Sequence, residues 1–135
     1  MKIRKFVLGY YAILFLFFGI AGLVLPDLVT NLIHYNVQSP GAKMEFMATY
    51  GGLFIGFGVF MFYCLKSNIE IGLVSVLLTM GAMLLARLVG YFSFGGADVI
   101  QYVYLAGELF TVLLVAFLLI KPNSQSEPSL VDSRV

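Results

Sequence analysis

The chain has 135 residues, of which 61% are hydrophobic and 11% charged, with a formal net charge of +1. A soluble domain is about 45–50% apolar and about 25% charged, and a chain this short keeps too much of its surface wet to hide the surplus. An ordinary water-soluble domain, a disordered chain and a nucleic-acid binder are excluded on these grounds, which leaves an integral membrane protein.

Four apolar stretches are long enough to cross hydrocarbon, which takes roughly 20 helical residues. They cover residues 6–25, 46–65, 71–92 and 99–120. None has an internal proline, so each helix satisfies its own backbone in lipid, and none alternates as a barrel strand does. The expected fold is all-α: a four-transmembrane-helix bundle over residues 1–121, with a short amphipathic helix in the first outer loop. The polar residues 122–135 are expected to form a disordered cytoplasmic tail.

Lys2, Arg4 and Lys5 open the first span. A cleavable secretory signal ending near Gly19, Ile20 and Ala21 is the alternative, but the apolar run continues through Leu25, beyond a signal core of about 7–15 residues. Tyr10 and Tyr11 are expected interface anchors at its start, as are Tyr91 and Tyr102 near the opposite ends of the last two spans. After the first span, Pro26 and Asp27 precede Leu28, Val29, Leu32 and Ile33 at helical spacing. Proline in the first turn and an acid near the positive helix end favour a short helix, expected at the outer membrane surface, over a plain loop.

The second span carries a polar stripe of Glu45, Thr49, Gly52 and Gly56 and a small-residue stripe of Ala48, Gly52 and Gly56. A tight turn at residues 66–70 leads to the third span, where Ser75, Thr79, Arg87 and Tyr91 share a face with Met83 between them. Ala82, Ala86 and Gly90 repeat the small-residue spacing there, and both small stripes are expected to pack helix on helix. A Gly-rich turn at residues 93–98 precedes the fourth span, where Gln101, Tyr104, Glu108 and Thr111 lie on one side. Lys2, Arg4, Lys5, Lys66, Lys121 and Arg134 fall on one side of the membrane against Lys43 on the other. The positive-inside rule then places both termini in the cytoplasm.

Arg87 and Glu108 are full charges inside spans, each costing about 2.5–3.5 kcal/mol near a helix centre on insertion scales, so each requires a partner. They lie about 8 and about 15 Å from the outer ends of neighbouring antiparallel helices, an offset a long arginine can bridge. A buried Arg87–Glu108 pair is expected. With the polar stripes it implies a cavity open to the outer side and closed inward by Phe and Leu. Two readings stay open: a pair that only fixes helix register, and a site for a polar head group, an ion or a proton. His34 has no second ligand at metal spacing, Cys64 reads as a small buried apolar residue, and no nucleophile has a base beside it in sequence. No metal, no cofactor and no enzymatic activity are expected.

Pro26 and Asp27, Glu45 with Tyr50, Gly51 and Gly52, then Arg87 and Glu108 resemble the polar signature of a family of small bacterial inner-membrane proteins. That family is classed as a domain of unknown function and is distantly similar to DoxX-like proteins. The resemblance spans residues 9–120. It implies four helices and a membrane location, and carries no activity. Many relatives have an arginine between the glutamate and the tyrosine; residues 46–49 have none, which leaves Glu45 without an obvious partner. The expected function is a non-enzymatic membrane protein. Its pocket of Glu45, Tyr50, Arg87, Tyr91, Tyr104 and Glu108 would bind a lipid head group or small amphipathic ligand, or the protein would serve as an accessory subunit. Membrane lipids, a membrane-protein partner or further copies of the chain are the expected partners, with no nucleic acid among them. The alternative is a small proton-coupled transporter using Glu108.

Overall fold

The computed structural model describes residues 2–96 and 98–121. Its elements run α1 (Lys2–Val24), α2 (Pro26–Leu32), α3 (Pro40–Phe46), a π-helical stretch (Met47–Leu53), α4 (Phe54–Ser67), α5 (Ile69–Phe94) and α6 (Val99–Ile120). The described residues are helical apart from short connections, and four rods are long and apolar enough to cross a membrane: α1, the continuous Pro40–Ser67 helix, α5 and α6. The all-α four-span fold and the short helix after the first span are as expected. The second span begins six residues earlier than its hydropathy implies, because α3 runs without a break into the π stretch. The tail expected at residues 122–135 lies outside the described residues.

The ends are set by local chemistry. Pro26 starts α2, with Asp27 in its first turn and Thr30 Oγ1 donating to the Asp27 carbonyl at 3.1 Å. Ser39 caps α3 by accepting from the Ala42 amide at 3.1 Å. Asn68 caps α5, its Oδ1 accepting from the amides of Glu70 and Ile71, which makes the turn from α4 to α5 tight. Gly95 closes α5 with φ +68°, a left-handed position that favours glycine.

Two polar clamps define the ends of the bundle. At one end Arg4 is buried, donating to the carbonyls of Leu118 and Lys121 at 2.6 and 2.5 Å and to Glu70 Oε1 at 3.2 Å. It therefore joins the start of α1, the start of α5 and the last carbonyls of α6, which have no partners inside their own helix. At the other end His34 Nδ1 lies 3.1 Å from Asp98 Oδ2, and Lys43 pairs with Asp27 at 2.6 Å. The dry core sits toward the Arg4 end, where Leu8, Met61, Cys64, Leu73, Val76 and Val115 are fully buried. The outward faces of all four rods carry large apolar side chains, as lipid-facing helices do.

The small-residue stripes do not pack inside the bundle. Ala48, Gly52, Gly56, Ala82 and Ala86 are exposed, and a Cβ added at Gly52, Gly56 or Gly90 would meet nothing within 4 Å. The close contact belongs to other glycines. A Cβ on Gly19 would come within 2.7 Å of the Ile55 amide nitrogen, one on Gly22 within 2.9 Å of the Tyr50 carbonyl oxygen, and one on Gly58 within 2.7 Å of Leu16. On the second span Phe46 and Met61 are buried and Tyr50 and Phe54 line the cleft, so the stripe of small side chains falls on the opposite side. Gly19, the first of the small residues at the alternative cleavage site, lies against the backbone of the second span at Gly51 and Ile55. Tyr11 is likewise buried in the core rather than anchoring an interface. Gly58→Ala is therefore expected to destabilise the protein by about 1–3 kcal/mol through overpacking, whereas Gly56→Ala leaves stability unchanged or slightly raised. Thermal unfolding in mild detergent measures both.

Candidate functional site

Helix α1 packs along α4 and the π stretch, and α5 packs along α6. Between these pairs the backbones of α1 and α6 stay apart, although Leu8 of α1 and Val115 and Leu118 of α6 share the buried core. The two helices are linked by Arg4 at one end and, midway, by a 2.5 Å hydrogen bond between Tyr11 and Thr111. Thr111 has one hydroxyl hydrogen, which it donates to the Gly107 carbonyl at 2.7 Å, so Tyr11 is the donor to Thr111. The space left between α1 and α6 is a cleft of about 800 Å³, within the range of about 300–1,000 Å³ usual for ligand sites.

Most of the lining is apolar. Phe15, Phe54, Met80 and Met83 line it, together with Val29 of α2 and Ile33, the residue that follows α2. The apolar side of α2 is thus divided: Val29, with Ile33 after it, lines the cleft, while Leu28 and Leu32 are exposed. Phe6, Tyr10, Val103 and Phe110 line the cleft and are themselves exposed on the outside of α1 and α6, so the cleft opens sideways between these helices. An aromatic run of Tyr35, Phe46, Tyr50, Phe54 and Phe15 stands along the side of the second span, with successive ring centroids 4.8–6.0 Å apart.

The polar chemistry is concentrated on the faces of α5 and α6. Arg87 Nε donates to Glu108 Oε1 at 2.8 Å, and Arg87 Nη1 donates to Gln101 Oε1. The Arg87 guanidinium also lies over the Tyr104 ring, 5.0 Å from its centroid, a cation–π contact. The Glu108 side chain is 7% exposed and that of Arg87 27%. The expected pair is present, with Glu108 buried and Arg87 only partly so, and it is more direct than the span boundaries implied. Helix α5 runs to Phe94, which puts Arg87 about 10 Å from the helix end, against about 14 Å for Glu108 in α6. One oxygen is left over: Glu108 Oε2 is buried and has no hydrogen-bond partner among the described residues.

The six candidate residues separate into three groups. Tyr50, Arg87, Tyr104 and Glu108 line the cleft. Tyr91 lines a second recess of about 570 Å³ at the loop end, which shares Arg87 and Gln101 with the cleft, so these two side chains stand between the spaces. Glu45 is exposed on α3 and lines neither, and with Thr49, Gly52 and Gly56 it forms an outward stripe. The polar face expected on α5 is also shorter than its spacing suggests. Ser75 and Thr79 donate to the Gly72 and Ser75 carbonyls of their own helix at 2.7 and 2.8 Å, which satisfies them without a cavity. Sequence reasoning missed Tyr11 and the buried Arg4; the signal for Tyr11 was its helical spacing with Leu8 and Phe15 on the buried side of α1.

These features define a four-span helical membrane protein with a laterally open cleft and an ion pair in its wall. The chain belongs to the family described as Domain of unknown function (DUF4345), which matches residues 3–119. No curated protein and no solved structure matches it.

Removing one member of the pair strands the other charge in a poorly solvated wall, which costs about 3–5 kcal/mol. Arg87→Met is expected to lose a large part of that range, and the double substitution R87M/E108M to recover most of it. A double-mutant cycle by thermal unfolding in detergent checks the coupling, and additive losses would show that the two side chains do not depend on each other.

Proposed function

We propose that the protein is a non-enzymatic, multi-pass protein of the bacterial inner membrane whose cleft holds a lipid head group or a small amphipathic molecule. The observation that carries this reading is the unpartnered, buried Glu108 Oε2 beside Arg87, at the polar end of an otherwise apolar cleft open to the acyl phase. Buried polar atoms are satisfied in the great majority of cases, and one that is not requires an explanation. A bound polar group supplies it. The apolar side walls suit a hydrocarbon chain, and the lateral opening lets that chain remain in the bilayer.

Orientation follows the same charges as before. Lys2, Lys5, Lys66 and Lys121 lie at the Arg4 end of the bundle, and Lys43 at the other, so the Arg4 end and both termini face the cytoplasm. The outward small-residue stripes at Ala48, Gly52 and Gly56 and at Ala82, Ala86 and Gly90 offer flat faces for another helix. They favour an accessory role beside a membrane-protein partner or a second copy of the chain. The fixed bond from Arg87 to Glu108 ranks ligand holding above a proton-coupled transport cycle through Glu108.

The protein extracted from membranes in mild detergent is expected to retain an amphipathic molecule visible by native mass spectrometry. The double substitution R87L/E108L is expected to release it while elution volume and helical content stay unchanged. Equal retention by a folded double variant contradicts the reading.

A further inference from the structure

Resting on the cleft reading, we infer that the occupant's head group is a neutral hydroxyl, carried on a long hydrocarbon chain that leaves the cleft between α1 and α6. Three observations converge on this class. The first is charge. Arg87 and Glu108 are the only ionic side chains among the described residues that line the cleft, and they are already paired with each other. An entering carboxylate, phosphate or ammonium would bring an unmatched charge into a mostly apolar space, at a far greater desolvation cost than a hydroxyl.

The second is hydrogen-bond capacity. Glu108 Oε2 is an acceptor with no donor. Arg87 has five N–H donors, and its bonds to Glu108 and Gln101 use two of them. The wall therefore lacks one donor and has donors to spare. A hydroxyl is the smallest neutral group that donates one hydrogen bond and accepts others. An ether or ester oxygen leaves Glu108 Oε2 unmet, because it accepts only.

The third is shape. The cleft follows α1 from Phe6 to Phe18 and α6 from Gln101 to Leu114, a length of about 18 Å at 1.5 Å per residue. Its charged and amide side chains, Arg87, Glu108 and Gln101, lie on the α6 and α5 side, and its remaining length is lined mostly by Phe, Leu, Val and Met with the rings of Tyr10, Tyr35 and Tyr50 among them and the Tyr11–Thr111 link midway. Tyr11 and Thr111 satisfy each other and the Gly107 carbonyl, so they set no demand of their own on a passing chain. One polar end and a long apolar run fit a single-headed amphiphile better than a compact polar solute.

The experiment uses the full chain in nanodiscs of a saturated phosphatidylcholine and four probes with the same chain: oleyl alcohol, oleyl methyl ether, oleate and oleylamine. Affinities are read by native mass spectrometry and by competition with a fluorescent analogue of the alcohol. A hydrogen bond to a charged acceptor is worth about 1.5–3 kcal/mol, so the alcohol is expected to bind about 10-fold or more tighter than the ether, and tighter than either ion. In R87M/E108M the alcohol and the ether are expected to bind within about twofold of each other by the same reasoning, with chain-driven binding retained. Equal binding of alcohol and ether by the wild-type protein, or tightest binding of oleate or oleylamine, overturns the hydroxyl assignment and leaves the cleft reading standing. Binding of none of the four probes overturns both. The comparison among probes on the wild-type protein decides the point even if the double variant fails to fold.

Discussion

A guanidinium and a carboxylate placed where water is scarce must meet or be expelled, and the Arg87–Glu108 contact at 2.8 Å is the consequence. Each charge alone costs about 2.5–3.5 kcal/mol at a helix centre on insertion scales. Their union fixes the register of α5 against α6 and turns the polar face of α6 inward. Gln101 and Tyr104 follow because they share that face, one accepting from Arg87 and the other lying beneath it. The pair is not fully satisfied, however. Glu108 Oε2 has no hydrogen-bond partner among the described residues, and the proposed ligand is the group that would meet it.

Why there is a cleft at all follows from where the glycines lie. In lipid, apolar burial gives helices little reason to associate, and close backbone approach through small residues matters more. Gly19 and Gly22 on α1, with Gly51 and Gly58 on the second span, let α1 settle directly on the π stretch and α4. The ion pair holds α6 to α5 on the other side. Helix α1 is thereby drawn away from α6, and the gap between them stays open, bridged by Tyr11 and Thr111 and closed at one end by Arg4. The π stretch contributes as well. Its wider turn lets Tyr50 face the cleft while Gly51 contacts Leu23, a combination of roles at neighbouring positions on one helix.

Much of this was legible in the residues. Hydropathy and the position of prolines placed four spans and the short α2, since a helix in lipid has few alternatives. The charge pair was legible because two opposite ions in hydrocarbon have one economical solution. The inward face of the second span was not. Spacing by four marks a common face, and Glu45, Thr49, Gly52 and Gly56 do share one, but spacing is silent on which way that face turns. Packing of Phe46, Tyr50 and Phe54 decided it, together with a π stretch that periodicity does not reveal. Arg4 was hidden for a related reason: an arginine at a helix start reads as a charge facing water until the tertiary fold brings the carbonyls of Leu118 and Lys121 to it.

The most direct measurement is an experimental density map of the protein in native lipid. Arg87 and Glu108 should lie within hydrogen-bonding distance, with elongated density running from Glu108 Oε2 outward between α1 and α6. A map in which either charge faces the acyl chains, or in which α1 and α6 close on each other with no space between them, would contradict the account.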